Sequence, residues 1–192
     1  MHTTDREAAV SPQSIYRIDH NMNDNILTET TRLLVRRLTE ADAGELYAVL
    51  SDPEVMRYIE PPFTLEQTRD FILQAGCCEP PLVWAVIWNR EAPAISVAGG
   101  EETPQSHPLI GHLIWHPWDE AAMELGWILR RDFWGRGIAK ELTAAMLAQT
   151  DRDLVLECHP NQTATRRIAE LFGFRMLAER GSLLQYRKNA VE

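Results

Sequence analysis

"RRDFWGRGIAKEL", residues Arg130–Leu142, joins an aromatic segment to a Gly-Arg-Gly turn and then to a run with helical spacing. The first N–H groups of a helix lack an intrahelical acceptor and carry partial positive charge, so anions bind there. Gly135 and Gly137 have no Cβ and let the backbone approach a ligand closely. Small size and positive charge come from three neighbours: Arg136, Ala139 and Lys140. The stretch predicts a phosphate-binding loop, although by itself it fits a tightly packed helix N-terminus equally well.

Two common phosphate-binding motifs do not fit this loop. The dinucleotide fingerprint needs a third small residue where Lys140 stands, after a strand that opens a doubly wound sheet. The Walker loop needs Gly-Lys-Ser/Thr, which Ile138, Ala139 and Lys140 do not supply. The loop residues therefore indicate a phosphate-bearing ligand without naming it.

The segments on either side of the loop predict a strand and a helix. Residues 122–129 alternate, which is typical of a strand with one buried face. One face holds Met123, Leu125, Trp127 and Leu129, and the other holds Glu124, Gly126 and Ile128. Apolar residues after the loop follow helical spacing, and residues 153–159 predict a further strand. A strand, a helix and a second strand favour one β-α-β crossover with parallel pairing.

The remaining chain predicts more strands and helices. Strands are expected at residues 32–38, 81–88 and 108–116, and a final pair lies around Gly181. Helices are expected at 39–50, 64–76 and 163–172, the last with an apolar stripe of Ala164, Ile168, Leu171 and Phe172. Residues 89–107 predict a long hairpin connection. The order β-α-α-β-β-β-α-β-α-β-β indicates an α/β fold with a mixed, mostly antiparallel twisted sheet flanked by helices.

Length and charge limit the classes of function. A chain of 192 residues suits one domain, expected at residues 30–192, and residues 1–29 have no periodicity and predict a flexible tail. The formal net charge of −9 disfavours a general nucleic-acid binder and suits a cationic partner such as an amine.

Cysteine usage and hydropathy indicate where the protein works. Cys77, Cys78 and Cys158 form neither a disulfide framework nor a metal-binding spacing, so we expect a reducing cytoplasm and no metal. No apolar run has transmembrane length, and the N-terminal segment does not resemble a signal peptide. We expect no membrane association.

Several motifs in order resemble the GNAT superfamily of acyl-CoA N-acyltransferases. The pyrophosphate loop of that family, Gln/Arg-x-x-Gly-x-Gly/Ala, corresponds here to Trp134-x-x-Gly137-x-Ala139, and "WGRGIA" resembles the Rim-type branch, named for ribosomal-protein-alanine acetyltransferases. The segments "TTRLLVRRLTEADA", "DPEVMRYI", "TLEQTRDFI" and "PNQTATRRIAELFGF" resemble the same branch. The resemblance spans residues 30–179.

The resemblance implies acetyl-CoA as the co-substrate and assigns a set of residues to it. They are Ile128, Leu129, Arg130, Trp134, Gly135, Arg136, Gly137, Ile138, Ala139, Lys140 and Thr165. Thr165 takes the place of a family serine, and Gln162 that of a family asparagine. The tyrosine that many GNAT enzymes use as general acid is replaced by Ala169, so that role has no occupant at the usual position.

Glu124 is the candidate general base for transfer to an amine. It precedes Gly126 on the same strand face, where the missing side chain leaves room beside the carboxylate, and the resemblance places a glutamate on this strand. The alternative is a solvated strand residue or salt-bridge partner. His112, His116 and Glu157 are reserve candidates for the base.

The resemblance also places an acceptor pocket between residues 52–71 and the final hairpin, 174–187. Tyr58, His112 and Tyr186 are the candidate substrate-binding residues. The predicted function is an N-acetyltransferase that acts on a protein N-terminus or a small amine, as a monomer or homodimer. The alternative is a catalytically silent acetyl-CoA-binding module with a regulatory or interaction role.

Overall fold

The computed structural model describes residues 25–89 and 107–190, which form one eight-stranded sheet flanked by helices. The strands are β1 (Ile26–Glu29), β2 (Leu33–Arg37), β3 (Val83–Trp88), β4 (Leu109–Pro117), β5 (Ala122–Leu129), β6 (Asp153–Cys158), β7 (Arg175–Arg180) and β8 (Leu183–Lys188). Their order in the sheet is β1-β2-β3-β4-β5-β6-β8-β7. Only β5 and β6 run parallel among these neighbours. The predicted α/β fold with a mostly antiparallel sheet is confirmed.

Within residues 25–89 and 107–190, five α-helices connect these strands. They are α1 (Ala43–Leu50), α2 (Pro53–Met56), α3 (Leu65–Phe71), α4 (Ile138–Leu147) and α5 (Thr163–Leu171). Thr64 caps the start of α3, because its hydroxyl accepts from the N–H of Gln67 at 3.2 Å and the Gln67 side chain accepts from the N–H of Thr64 at 2.8 Å. This reciprocal pair satisfies two N–H groups that the helix leaves free. A π-helical segment, Ile72–Gly76, continues α3.

Two hydrophobic cores are packed against the sheet. One core joins the sheet to α4 and α5 and includes Leu125, Leu142 and Ala169. The other joins the sheet to α1 and α3 and includes Leu46 and Ile72. Side chains alternate along each strand, so β5 contributes Leu125 to the first core while Ile128 packs against the second.

The predicted boundary between the tail and the domain is corrected by the structure. Residues 26–29, assigned to the tail, form strand β1, which pairs with β2 and is extended by a hydrogen bond from the Arg37 N–H to the Asn25 carbonyl at 2.8 Å. A four-residue edge strand is too short to show a clear alternation in sequence. The rest of the predicted tail, residues 1–24, and most of the predicted hairpin connection, residues 90–106, lie outside the described residues.

The predicted apolar stripe of α5 is also corrected. Ala164 is exposed and Leu171 is 60% exposed, whereas Ala169 is fully buried. The helix is rotated so that Ala169 and Phe172 face the first core. Within the described part of the chain, no helix is both long enough and apolar enough to cross a membrane.

Candidate functional site

The parallel strands β5 and β6 separate to form a cleft. They pair only from Ala122 with Asp153 to Glu124 with Val155, although β5 continues to Leu129 and β6 to Cys158. Beyond Glu124 one edge of β5 remains paired with β4, and the other edge is free. A cleft of about 220 Å³ occupies this wedge. Its lining includes Glu124, Gly126, Trp127, Ile128, Glu157 and Thr165.

Glu124 contributes the carboxylate of the cleft and is paired with a histidine. His116 on β4 lies directly opposite Glu124 on β5, and its Nε2 is 3.2 Å from Oε2 of Glu124. The Glu124 carboxylate raises the pKa of His116, chiefly through this hydrogen bond, against the opposing effect of partial burial. The second imidazole nitrogen, Nδ1, is 3.0 Å from the Pro117 carbonyl oxygen.

Gly126 lies against Ile114 of β4 at the edge of the cleft. A Cβ at Gly126 would lie 2.9 Å from Cδ1 of Ile114, its partner on β4. The end of the Ile114 side chain thus lies close to the position that a Cβ at Gly126 would take, and Gly126 lines the cleft together with Glu124. The expectation that this glycine leaves room beside the Glu124 carboxylate stays a prediction.

The predicted phosphate loop lies at the start of α4. Gly135 and Gly137 have φ angles of 71° and 77°, in the left-handed region that favours glycine. No side chain in the described part of the chain caps α4, so its first N–H groups have no side-chain acceptor there. Arg136 and Lys140 are exposed, and neither has a carboxylate partner among the described residues. The loop combines free donors with positive charge.

The aromatic residues Phe133 and Trp134, just before the glycine loop, connect the loop to the end of β5. The indole N–H of Trp134 donates to the Leu129 carbonyl at 2.8 Å, although 49% of the Trp134 surface is exposed. Arg130 forms two hydrogen bonds with Asp132, at 2.7 and 3.0 Å. The guanidinium groups of Arg130 and Arg136 lie over the buried Phe133 ring, at 4.8 and 4.9 Å.

Two of the predicted coenzyme-binding residues are buried in the first core. Ile138 is 1% exposed and Leu129 is 7% exposed. Only their backbone groups are placed to meet a ligand, and the Leu129 carbonyl already accepts the Trp134 indole N–H. Ile128 lines the cleft, and Ala139 is partly buried beside the loop.

Arg32 supports the glycine loop through hydrogen bonds that the sequence did not predict. Arg32, the residue before β2, donates from Nη1 to the Arg136 carbonyl at 2.9 Å and from Nε to Glu141 at 2.6 Å. Hydrogen bonds from Thr30 and Arg32, together with the positive charge of Arg32, lower the pKa of Glu141 against the opposing and largest single effect, its burial. No local signal links residues 109 positions apart.

The start of α5 forms another wall of the cleft. Gln162 and Thr165 both line it. The Gln162 side-chain oxygen accepts from the His159 N–H at 2.7 Å, so this residue fixes the turn after β6. Ala169 is fully buried in the first core, away from the cleft lining.

A second pocket, of about 460 Å³, opens beside the cleft. It lies between residues 53–62 and Ser182 at the tip of the final hairpin. Tyr58 and Ile59 line both the pocket and the cleft, so the two spaces adjoin. The Tyr58 ring stacks on His159 with centroids 4.8 Å apart.

Two predicted substrate-binding residues do not reach either space. Tyr186 is 3% exposed and belongs to the first core, where its hydroxyl accepts from Nε of Arg166 at 3.3 Å. His112 is 2% exposed and packs near Phe71, with ring centroids 5.2 Å apart. Burial lowers the pKa of His112 to about 4. Both assignments are corrected, because each side chain points from its strand into packed protein.

The described residues contain no group of three or more His, Cys, Asp or Glu side chains placed to hold a metal ion.

Comparisons with known proteins agree with the observed fold. The family described as "Acetyltransferase (GNAT) domain" matches residues 32–175. YnaD of Bacillus subtilis, described as an uncharacterized N-acetyltransferase, is 24% identical over 153 residues, which cover 76% of this chain and 81% of YnaD.

Solved structures are similar over most of the chain. A GNAT-family acetyltransferase from Bacillus anthracis has a TM-score of 0.66 and 24% identity, covering 84% of this chain and 96% of that one. The ribosomal L7/L12 alpha-N-protein acetyltransferase RimL, in complex with coenzyme A, has a TM-score of 0.66 and 15% identity, covering 86% and 98%.

Proposed function

Because the chain belongs to the GNAT acetyltransferase domain family, we propose that it transfers an acetyl group from acetyl-CoA to a primary amine. One observation carries this proposal. The cleft between β5 and β6 begins at Glu124, while β5 leads at its other end into the glycine loop at the start of α4. A candidate base and a candidate phosphate site thus lie at the two ends of one strand.

The residues present fit acetyl-CoA as co-substrate. The N-terminus of α4, with Gly135 and Gly137 and the charges of Arg136 and Lys140, suits the pyrophosphate. The free edge of β5 offers backbone N–H and C=O groups to the amide-bearing arm of the coenzyme. The site would direct the thioester toward Glu124, with Thr165 on the opposite wall. RimL binds coenzyme A in its solved complex.

The chemistry requires a neutral amine and a proton acceptor. The amine nitrogen attacks the thioester carbonyl carbon, the C–N bond forms, the C–S bond breaks, and the coenzyme leaves as its thiolate. Glu124 takes the proton released by the amine nitrogen, directly or through one water. Because a thioester is already activated, positioning supplies much of the remaining rate enhancement.

The acceptor enters through the 460 Å³ pocket in this proposal. The pocket adjoins the cleft at Tyr58 and Ile59, so an amine held there faces the thioester end of the coenzyme. The side chains that line the two spaces include Glu60, Glu124 and Glu157 against the single cation Arg57, and this excess of negative charge favours a cationic acceptor over an anionic one. The Rim-type motifs favour a peptide N-terminus, with a small amine as the alternative.

Thiol release from acetyl-CoA, measured over a panel of amines and N-terminal peptides, tests the proposal. We expect turnover with at least one primary amine and none with its N-acetylated form. Calorimetric titration with acetyl-CoA accompanies the screen. Tight coenzyme binding without turnover on any acceptor would favour a catalytically silent acetyl-CoA-binding module over an enzyme. Absence of coenzyme binding would contradict both functions.

A further inference from the structure

We infer that His116 is a positioning residue for Glu124, whose imidazolium donates a hydrogen bond from Nε2 to Oε2 of the carboxylate. This holds the carboxylate in one orientation and leaves Oε1 as the oxygen that takes the amine's proton. The inference rests on the proposed function, because it assigns a role to a residue behind the base. His116 does not line the cleft, so it acts through Glu124.

Sheet register places the two side chains together. His116 and Glu124 are direct partners in the antiparallel β4–β5 pairing, so their side chains lie on the same face of the sheet. Their side chains are 23% and 20% exposed. A contact at this depth is shielded from water more than a surface ion pair, so its geometry is better defined.

The second nitrogen of the ring determines where the proton lies. The Pro117 carbonyl oxygen can only accept a hydrogen bond, so Nδ1, at 3.0 Å from it, carries a hydrogen. A neutral ring with its hydrogen on Nδ1 would present a lone pair on Nε2 to the carboxylate. The 3.2 Å contact between Nε2 and Oε2 is therefore a hydrogen bond only when one further proton is shared between the two groups.

Other charged groups near this end of β4 have their own partners. Asp119, in the turn after β4, accepts from the N–H groups of Ala121 and Ala122 and lies 3.6 Å from Arg187. Arg152 donates to the Asp119 carbonyl and lies against Met123. Glu124 is thus the ionisable side chain that faces His116 among the described residues, and it is the group that raises the pKa of His116.

The contact has a consequence for the pH dependence of turnover. The pKa of His116 is raised above the ordinary 6.5, so the imidazolium persists past that pH and is lost as the pH rises further. The orienting hydrogen bond is present on the acidic side of this transition and absent on the basic side. A glutamine at position 116 has an amide N–H₂ at about the reach of Nε2 and donates at every pH.

An NMR titration of the free protein tests the pairing without reference to catalysis. The imidazole signals of His116, assigned by their loss in His116→Gln, should titrate with a higher midpoint in the parent than in Glu124→Gln. Equal midpoints in the two proteins would overturn the inference whether or not the protein transfers acetyl groups.

Kinetics then test the positioning role. His116→Leu should lower kcat about tenfold with little change in acceptor KM, because it removes a hydrogen bond to a charged group. His116→Gln should retain most of the rate, and its kcat relative to the parent should rise as the pH passes the His116 midpoint. Parent turnover by His116→Leu would overturn the inference and leave the proposed function standing. A parent protein inactive on every amine, with the NMR coupling intact, would overturn the proposed function and the positioning role with it.

Discussion

The indole N–H of Trp134 donates a hydrogen bond to the Leu129 carbonyl oxygen at 2.8 Å. Leu129 is the last residue of β5, and Trp134 immediately precedes the glycine loop. The bond ties the end of the cleft strand to the start of the proposed phosphate site. It keeps the loop in place although much of the Trp134 ring is exposed.

Trp134→Phe should weaken acetyl-CoA binding about fivefold, because it keeps a ring and removes a hydrogen bond worth about 1 kcal/mol to the ordering of the loop. Calorimetric titration measures the change. Trp118→Phe is the matched control, since Trp118 lies in the turn at the opposite end of β5. Equal acetyl-CoA affinities for Trp134→Phe and the parent would show that coenzyme binding does not depend on the hydrogen bond from Trp134 to Leu129.

Gly137→Ala should weaken acetyl-CoA binding about tenfold, because a methyl group would keep the backbone from approaching the pyrophosphate. Gly173→Ala controls for backbone strain, since Gly173 has φ 79° against 77° for Gly137. Both variants should lose about 1–2 kcal/mol of stability from the left-handed conformation, measured by urea unfolding. Loss of affinity in both variants, or in neither, would contradict the placement of the pyrophosphate.

Glu124→Gln should lower kcat by about 10²-fold, because it keeps the shape of the side chain and removes its basicity. Steady-state thiol release at saturating acetyl-CoA gives the comparison. Glu157→Gln is the control, since Glu157 lines the same cleft and its Oε1 accepts from Gln185 at 3.2 Å. A larger loss for Glu157→Gln than for Glu124→Gln would move the base to the other side of the cleft.

Tyr58→Ala should raise the acceptor KM with little effect on coenzyme affinity or stability, because Tyr58 lies between the acceptor pocket and the cleft. Tyr186→Ala should instead lower the free energy of unfolding by about 3–5 kcal/mol, as expected for a buried aromatic side chain. Tyr47→Ala, on the exposed face of α1, is the neutral control. A stable Tyr186→Ala variant with a raised acceptor KM would restore Tyr186 to the substrate site.

The free energy of unfolding should decrease as the pH is lowered, because His112 is buried in its neutral form. Its pKa is about 4 in the folded protein and 6.5 when exposed, since burial disfavours the charged ring. Between these two pKa values the unfolded state takes up a proton that the folded state does not. The contribution of His112 to the free energy of unfolding is therefore complete above pH 6.5 and is lost as the pH falls toward 4. The loss amounts to about 3 kcal/mol across this window.

Urea unfolding at several pH values measures this dependence. His112→Leu should show a smaller loss of stability between pH 6.5 and 4 than the parent. The exposed His107→Gln is the control and should follow the parent. The same slope for His112→Leu and the parent would mean that His112 is not the group responsible.

Local patterns in the sequence predicted the elements that form the site. The alternation of residues 122–129 predicted β5 with its observed bounds, and the glycines and helical spacing after it predicted the loop and α4. These features are readable because each depends on residues a few positions apart. Strand alternation, glycine at positive φ and helix periodicity are properties of the local backbone.

The tertiary structure alone decided which side chains meet. His116 faces Glu124, and Ile114 covers Gly126, because the turn between β4 and β5 sets one register out of several that the alternation allows. Arg32, just before β2, supports the glycine loop, and its partner Glu141 lies 109 positions away in the sequence. Tyr186 has a residue type that suits a binding site, yet it points into a core that exists only when β8 lies between β6 and β7. Contacts of this kind depend on strand order and register, which distant segments determine together when the sheet forms.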